Sequence, residues 1–284
     1  MKLILNNGIS IPKIGYGVFR ITDEKECENA VLEALKQGYR LIDTAAAYEN
    51  EIAVGRAIKK SKIPREELFI TTKLWITDTT YEKTKLAFER SLKRLNLEYI
   101  DLYLIHQPYN DYYGAWRAME ELYNEGKIKA IGVDNFTQDR LADFIFFNKI
   151  KPAVNMIECN PFFARNDEEL YLKSQNIQML AWSPLSAGNE NLFTNNILKG
   201  IAKNHNKTVA QVVLRWLTQR DIIPIVKSTN QTRMKENLDI FDFTLQDEEM
   251  AKIATLDTMH SCFAERKTGI QVSDFLNAAL KYNV

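Results

Sequence analysis

Short apolar runs alternate along the chain with longer segments of helical period. The runs are rich in β-branched residues and have the length of buried strands. They predict eight strands: Ile14–Val18, Arg40–Asp43, Phe69–Leu74, Ile100–Ile105, Ala130–Val133, Val154–Glu158, Gln178–Trp182 and Ile222–Val226. Between them, apolar side chains fall on one face of helices predicted over residues 24–37, 80–95, 113–125 and 208–219. Three glycines stand where helices are expected to end: Gly38, Gly126 and Gly200.

Alternating strands and helices predict an α/β fold with a parallel sheet and right-handed crossovers. Eight such repeats are the number that closes a (β/α)8 TIM barrel. The alternative is an open doubly wound sheet, whose dinucleotide-binding loop carries three glycines. The one similar loop, Gly15-Tyr16-Gly17, lacks the third. Because no Pro/Gly/Ser-rich linker divides the pattern, residues 1–284 are expected to form a single domain.

The two ends of the chain fall outside the eightfold repeat. Residues 1–11 carry Asn7-Gly8 between two apolar stretches, which predicts a β-hairpin. We expect this N-terminal hairpin to plug the barrel. Residues 258–284 are expected to form an irregular C-terminal tail that ends in a helix.

Composition narrows the class of protein. The 37 basic residues balance 37 acidic ones, so no nucleic-acid or membrane partner is indicated. No apolar run approaches the roughly 20 residues of a membrane span, and the N-terminus does not resemble a signal peptide. Three distant cysteines, Cys27, Cys159 and Cys262, favour free thiols over disulfides and do not have the spacing of a metal site. A cytoplasmic protein is the expectation.

Polar residues collect at the carboxyl ends of the predicted strands, where TIM barrels carry their chemistry. They are Asp43 with nearby Tyr48, Lys73, His106, Asp134 with Asn135, Asn155 with Glu158, and Lys227 with Ser228. Neighbouring strands lie about 5 Å apart, so Asp43, Lys73 and His106 are close enough to converge.

Each of these residues also has an ordinary structural explanation. A lysine is commonly a surface residue, an aspartate can cap the following helix, and a single histidine is often structural. Together they have a joint chemical purpose. A lysine cation lowers the pKa of a neighbouring tyrosine, which is otherwise about 10. A carboxylate keeps the lysine charged, and a histidine orients a substrate oxygen. Such a group would protonate a carbonyl oxygen.

The chain resembles the aldo-keto reductase family over residues 1–258. The stretches that carry the resemblance are Gly38–Glu51 (GYRLIDTAAAYENE), Thr71–Trp75 (TTKLW), Asp101–His106 (DLYLIH), Ala181–Leu185 (AWSPL) and Ile225–Ser228 (IVKS), followed by Arg233, Glu236 and Asn237. Gln107 together with the stretches 111–114 and 191–195 resembles a bacterial, 2,5-diketogluconate reductase-like branch.

The resemblance implies an NADPH-dependent carbonyl reductase without a metal site. It makes Tyr48 the general acid, Lys73 and Asp43 its tuning pair, and His106 the substrate-orienting residue. NADPH/NADP+ would be held by Trp182 on the nicotinamide, Asn135 on its carboxamide, and Ser183 and Leu185 beside the pyrophosphate. By the same resemblance, the adenosine 2′-phosphate would be held by Lys227, Ser228 and Arg233, with Glu236 and Asn237 near the adenine. Two cations and a hydroxyl before a helix also suit a phosphate on chemical grounds.

Three positions depart from the family pattern. Asp134 stands where serine is common, and Met156 where glutamine is common. Both positions would contact the carboxamide. Met156 cannot donate a hydrogen bond. We hypothesise that an ionised Asp134 favours the oxidised cofactor. The competing interpretation is that these changes weaken or abolish cofactor binding. Gln107 replaces a frequent tryptophan.

Substrate choice stays open at this level. Phe19, Trp75 and Phe136 are expected to line the pocket with Gln107, and residues 261–266 align with no family pattern. A small aldehyde, a ketoaldehyde, a sugar-derived ketone or a quinone would each suit as the carbonyl substrate. The resemblance also implies that the protein is a monomer. One rival function is a cofactor-binding regulatory protein with low turnover. Another is an unrelated barrel lyase or hydrolase, which would need a metal cluster or carboxylate pair.

Overall fold

The computed structural model describes residues 1–264, 266–282 and 284. Eight parallel strands close into a barrel, which confirms the predicted TIM-barrel architecture. They follow an N-terminal pair, β1 and β2, and are β3 (Gly15–Gly17), β4 (Leu41–Asp43), β5 (Phe69–Leu74), β6 (Ile100–Ile105), β7 (Ile128–Asp134), β8 (Val154–Glu158), β9 (Gln178–Trp182) and β10 (Ile223–Val226). The order β10-β3-β4-β5-β6-β7-β8-β9 closes the sheet without an edge.

The predicted N-terminal hairpin is present as β1 (Lys2–Ile4) and β2 (Ser10–Pro12), paired antiparallel. Gly8 in its turn has φ 85°, a conformation that glycine adopts without strain. Leu5 and Ile11 are buried in the same apolar cluster as the inward side chains of the barrel. The hairpin therefore closes the N-terminal end of the barrel, as expected.

Twelve α-helices are formed by the described residues. They are α1 (Glu24–Gln37), α2 (Glu51–Ser61), α3 (Tyr81–Leu95), α4 (Tyr112–Asn124), α5 (Gln138–Phe147), α6 (Asn166–Ser174), α7 (Glu190–Thr194), α8 (Asn196–Asn204), α9 (Val209–Gln219), α10 (Gln231–Leu238), α11 (Asp247–Ala254) and α12 (Gly269–Ala279). The four helices predicted from the sequence agree with α1, α3, α4 and α9 to within one residue at each end.

Helix ends follow local chemistry in most places. Asp23 caps α1 by accepting a hydrogen bond from the Glu26 amide, and Gly38 ends the helix with φ 111°. Gly126 follows the end of α4, also with positive φ. The prediction that a helix ends at Gly200 is wrong. Gly200 lies inside α8, and His205 is the residue that caps the end of this helix. Leu198, Ile201 and Ala202 bury the face of α8, and this packing outweighs the low helix propensity of one glycine.

Two apolar layers hold the barrel together. The inner layer contains alternate strand residues such as Leu41, Phe69, Leu102, Ala130 and Leu180. The other face of each strand packs against the helices in a larger cluster. Because side chains alternate along a strand, residues an even number of positions after these inner-layer residues also point into the barrel, nearer its carboxyl end. They are Asp43, Lys73, His106, Asp134, Met156 and Trp182.

The C-terminal segment crosses the carboxyl end of the barrel. After an irregular stretch, α12 packs beside Trp75, whose Nε1 donates to the Ala279 carbonyl at 3.0 Å. Tyr282 contacts the same indole ring, with ring centroids 5.3 Å apart. The tail is thus irregular and then helical as predicted, and it borders the barrel opening.

Candidate active site

A cleft of about 1050 Å³ opens at the carboxyl ends of the strands. Beneath it, Lys73 Nζ donates to Asp43 Oδ2 at 2.7 Å and to the Thr44 carbonyl at 3.1 Å. Lys73 is fully buried and Asp43 nearly so. Desolvation opposes the charge on Lys73, but Asp43, together with Tyr48 and Asp134, more than offsets it and raises the pKa of Lys73 above its ordinary value. The lysine is therefore a buried, fixed cation.

Tyr48 lies on a short 3₁₀ turn, Ala46–Tyr48, directly after β4. Its hydroxyl is 3.4 Å from Lys73 Nζ. Burial raises the pKa of Tyr48 above its ordinary value, and the nearby Lys73 cation opposes this shift without cancelling it. The expectation that Lys73 brings the pKa of Tyr48 below its ordinary value is therefore not met. Desolvation of the phenolate is the larger effect, so the hydroxyl keeps its proton at neutral pH.

His106 follows β6 and faces Tyr48, with ring centroids 5.6 Å apart. Its other aromatic neighbour is Trp75, at 5.0 Å. Burial, helped by the Lys73 and Arg266 cations, holds the pKa of His106 well below its ordinary value. The imidazole is therefore neutral. Among the described residues, its buried Nδ1 has no hydrogen-bond partner.

Asp134 ends β7 within the same layer, with Oδ2 3.9 Å from His106 Nε2. The side chain is buried, and Oδ1 lacks a partner among the described residues. Burial raises the pKa of Asp134 well above its ordinary value, and the Lys73 and Arg266 cations do not offset this. Burial thus disfavours the carboxylate form of Asp134, which counts against the charge on which our electrostatic hypothesis depended. Met156 pairs with Asp134 across the strands and is buried beneath the cleft.

Asn135 joins two parts of the cleft. Its Nδ2 donates to the His106 carbonyl at 3.1 Å, and its Oδ1 accepts from Trp182 Nε1 at 3.1 Å. One N–H and one lone pair of the amide remain for a ligand. The opposite rim is the loop after β9, where Ser183 and Leu185 line the cleft with Trp182. Ser183 has φ 49°, a left-handed conformation that marks a sharp turn at the strand end.

The far end of the cleft carries the predicted phosphate group of residues. Lys227 and Ser228 follow β10, and Asn230 caps α10 by accepting from the Arg233 amide at 3.0 Å. Lys227 and Arg233 are exposed, and neither forms an ion pair among the described residues. The remaining members, Glu236 and Asn237, line the cleft one turn further along the helix.

The substrate end is only partly as predicted. Phe19, Trp75 and Gln107 line the cleft, and Phe19 stacks obliquely on Tyr48 at 5.0 Å. The prediction for Phe136 is wrong. Its ring is buried in the outer core against Tyr112 and Phe144. The strand alternation explains this, because Asp134 points inward and the chain turns away after Asn135.

The tail supplies lining residues that the sequence did not reveal: Phe263, Arg266, Phe275, Ala278, Ala279 and Tyr282. Phe263 packs edge-on against Trp182, with centroids 5.1 Å apart. The tail is anchored on the buried carboxylate of Glu158. This carboxylate accepts hydrogen bonds from the Ser261 hydroxyl, from the Cys262 amide at 3.0 Å and from the Cys262 thiol at 2.9 Å. Glu158 was noted at a strand end, but no local pattern linked it to residues a hundred positions away.

Two features are absent from the described part of the chain: a cluster of metal-binding side chains and a membrane-spanning helix. It contains no group of three or more His, Cys, Asp or Glu side chains placed to hold a metal ion. None of its helices combines the length and apolar character needed to cross a bilayer.

The fold and this strand-end constellation define an oxidoreductase of the aldo-keto reductase type. A profile of the Aldo/keto reductase family matches residues 13–258, and the chain belongs to this family. Glyoxal reductase of Bacillus subtilis is 50% identical over 254 residues, covering 89% of this chain and 91% of that protein. Methylglyoxal reductase DkgA of Escherichia coli is 41% identical, covering 89% and 92%.

Solved structures agree with this assignment. The aldo-keto reductase MGS-M4, from a deep-sea metagenome library, is 46% identical with a TM-score of 0.91, covering 94% of this chain and 98% of that one. Bombyx mori AKR2E4, solved in complex with NADP, is 34% identical with a TM-score of 0.88, covering 93% and 94%. The family and this complex support a nicotinamide cofactor for the present chain.

Proposed function

We propose that the protein reduces an aldehyde or ketone to an alcohol with NADPH, and that Tyr48 is the general acid. The observation that carries the proposal is the 3.4 Å approach of the Tyr48 hydroxyl to the buried Lys73 ammonium. Asp43 holds Lys73 from the other side at 2.7 Å. A protonated phenol at the floor of an open cleft, beside a fixed cation, suits protonation of a substrate oxygen.

The cation acts on the charge that develops during proton transfer. As Tyr48 gives up its proton, negative charge appears on its oxygen next to Lys73. A preorganised cation in a buried site stabilises that charge without rearrangement. Asp43 keeps Lys73 charged and fixed, because an unpaired buried ammonium would be strongly disfavoured. The three residues therefore form one proton donor.

His106 suits the role of orienting the substrate oxygen. Its ring faces Tyr48 at 5.6 Å and is neutral, so one nitrogen donates and the other accepts. A neutral imidazole donates a hydrogen bond to a carbonyl oxygen without competing to protonate it. Trp75 packs on His106 at 5.0 Å and restricts the tilt of its ring.

The residues along the cleft fit NADPH. Trp182 offers an aromatic surface, Asn135 keeps one free amide N–H, and Ser183 and Leu185 border the loop beyond. When bound, the cofactor supplies the hydride that reduces the carbonyl carbon. Lys227 and Arg233 suit the 2′-phosphate that distinguishes NADPH from NADH, with Ser228, Glu236 and Asn237 beside them. Two exposed cations without ion-pair partners among the described residues are what such a phosphate requires.

Asp134 and Met156 do not argue against cofactor binding. Burial favours the protonated form of Asp134, which would carry an O–H and donate one hydrogen bond, as the serine common at this position can. Met156 removes a second polar contact and contributes only apolar surface. We therefore propose that this nicotinamide pocket binds the cofactor with Asp134 as a hydrogen-bond donor.

The test is a screen of small aldehydes, ketoaldehydes, sugar-derived ketones and quinones that follows NADPH oxidation, with Tyr48→Phe as the comparison. We expect the variant to lose about a hundredfold to ten-thousandfold in turnover, the usual contribution of a general acid. Its NADPH affinity, measured by tryptophan quenching, should change little. NADPH binding by the wild type without reduction of any carbonyl would instead support the regulatory, low-turnover alternative.

A further inference from the structure

Tyr16, the centre of the Gly15-Tyr16-Gly17 motif, lies in the outer core behind the adenosine end of the cleft. It is fully buried on β3, the strand that pairs with β10. A Cβ atom on Gly15 would lie 2.5 Å from the Ile225 side chain, so the first glycine of the motif lets β10 pack closely against β3. The motif therefore helps to fix the strand from which Lys227 follows.

The Tyr16 hydroxyl reaches the backbone of the loop after β10. It donates to the Ser228 carbonyl oxygen at 2.5 Å, across 212 positions of the sequence. Ser228 comes directly after Lys227, and its Oγ accepts from the Asn230 amide at 3.1 Å. A buried carbonyl that lost its donor would be left unsatisfied, which is costly. The hydroxyl of Tyr16 therefore restrains the peptide beside the first of the two proposed phosphate-binding cations.

Tyr39 makes the equivalent contact beside the second cation. It follows Gly38 at the end of α1 and is buried. Its hydroxyl donates to the Met234 carbonyl oxygen at 3.0 Å, and Met234 lies in α10 directly after Arg233. The rings of Tyr16 and Tyr39 pack edge to face, with centroids 5.6 Å apart. We call these two residues the tyrosine pair.

The tyrosine pair and the two cations differ in exposure. Lys227 and Arg233 have long, exposed side chains with many rotamers. Their charged groups can meet one phosphate together only if the backbone beneath them is fixed. Neither tyrosine is present among the described residues that line the cleft. A cofactor would therefore touch the cations and not the pair that supports them.

We propose that Tyr16 and Tyr39 are positioning residues that set the preference for NADPH over NADH. The inference rests on the proposed reductase function and deepens its choice of cofactor. By fixing the peptides beside Lys227 and Arg233, the tyrosine pair sets the spacing of the two cations around a 2′-phosphate. Groups that are ordered before binding lose less entropy when the ligand arrives. NADH has no phosphate at this place, so its affinity does not depend on that spacing.

The experiment removes the hydroxyl groups one at a time. Tyr16→Phe and Tyr39→Phe keep the buried rings, and each variant loses one oxygen atom. Tyr103→Phe, which removes a buried hydroxyl from β6 in the outer core, is the matched control. Dissociation constants for NADPH and NADH are measured by tryptophan fluorescence, and their ratio is the readout. A general loss of stability would weaken both cofactors alike and leave this ratio unchanged.

We expect Tyr16→Phe and Tyr39→Phe each to raise the Kd for NADPH about threefold to tenfold, the range of one net hydrogen bond, and to change the Kd for NADH less than about twofold. Tyr103→Phe should leave the ratio unchanged. A ratio equal to that of the wild type in both Tyr16→Phe and Tyr39→Phe would overturn the proposal, even if both affinities fall. Each variant tests the pair by itself, so the result stands if one of them folds poorly.

A second titration separates this inference from the reductase function. Adenosine 2′,5′-bisphosphate and 5′-AMP differ only in the 2′-phosphate, and neither contains a nicotinamide. Their binding to the wild type, Tyr16→Phe and Tyr39→Phe is measured by calorimetry. Weaker binding of the bisphosphate alone by the two variants supports the inference even if no carbonyl is reduced. Unchanged binding of the bisphosphate by both variants overturns it, even if the wild type is an active reductase.

Discussion

The Lys73 ammonium and the Asp43 carboxylate form a fully desolvated ion pair 2.7 Å long beneath the cleft. They come from adjacent strands, β5 and β4, whose register places Asp43 beside Thr71. Lys73 follows two residues later on the same face of its strand. The pair thus follows directly from strand alternation and barrel closure.

Breaking this ion pair should cost stability as well as activity. Lys73→Met leaves a carboxyl group buried without its partner, at a cost of about 3–5 kcal/mol in the free energy of unfolding. Because the penalty comes from the unpaired group, Lys73→Met/Asp43→Leu should recover part of it. Denaturant unfolding of the two single variants and the double variant measures the coupling. Additive losses would contradict a coupled pair.

The neutral state of Asp134 makes its contribution to stability depend on pH. Its pKa is raised in the folded protein above the ordinary value of 3.8. The folded state therefore holds a proton that the unfolded state has released, and stability falls as pH rises above that value. Replacing Asp134 with asparagine removes this effect. The stability gained by Asp134→Asn should be small near pH 4 and larger near pH 8, as measured by denaturant unfolding. A gain independent of pH would show that Asp134 is ionised in the fold.

The same neutral state bears on the cofactor. Because burial favours the protonated form of Asp134, this side chain would exert no net electrostatic preference for oxidised over reduced nicotinamide. We expect the ratio of NADP+ to NADPH dissociation constants to change less than about twofold in Asp134→Ser, since a shift of one charge interaction would exceed this. Fluorescence titration with both forms decides the matter. A large change in the ratio would restore the electrostatic hypothesis.

Cofactor preference should depend on the two cations after β10. Lys227→Met/Arg233→Met should weaken NADPH binding about a hundredfold, because each charge-assisted bond to phosphate contributes strongly. NADH, which lacks the phosphate, should be affected little. Lys235→Met, an exposed cation on the same helix, is the matched control. Equal losses for both cofactors would place the phosphate elsewhere.

The Glu158 anchor should hold the tail in place. In Glu158→Ala, Ser261 and Cys262 lose their shared acceptor. Burial and the adjacent Glu158 raise the pKa of Cys262 to about 12, so at neutral pH the thiol keeps the proton that it donates to Glu158. Losing these hydrogen bonds should lower the free energy of local opening of the tail by roughly 1.4 kcal/mol, a tenfold change in the open population. We therefore expect tryptic cleavage near Arg266 to accelerate about tenfold. Exposed Glu248→Gln provides the comparison, and an unchanged cleavage rate would remove Glu158 as the anchor.

The strand-end residues could be placed from sequence because barrel strands repeat a simple period. Alternation fixes which side chains point inward, so Asp43, Lys73 and His106 followed from strand positions alone. The acidity of Tyr48 did not follow, because it depends on burial that only the packed structure determines. Arg266 and Phe275 were missed because the tail has no periodic relation to the barrel. Its position depends on Glu158, more than a hundred residues away in the sequence.

The hairpin formed by β1 and β2 limits how cofactor and substrate reach the site. With Leu5 and Ile11 filling the base of the barrel, ligands enter and leave on one side only. Phe263 packs edge-on against Trp182, the residue on which we propose that the nicotinamide stacks. In the proposed arrangement the nicotinamide lies on Trp182 and the carbonyl compound then covers it from the side of the cleft opening. Loading and release should therefore be sequential, with the dinucleotide first in and last out.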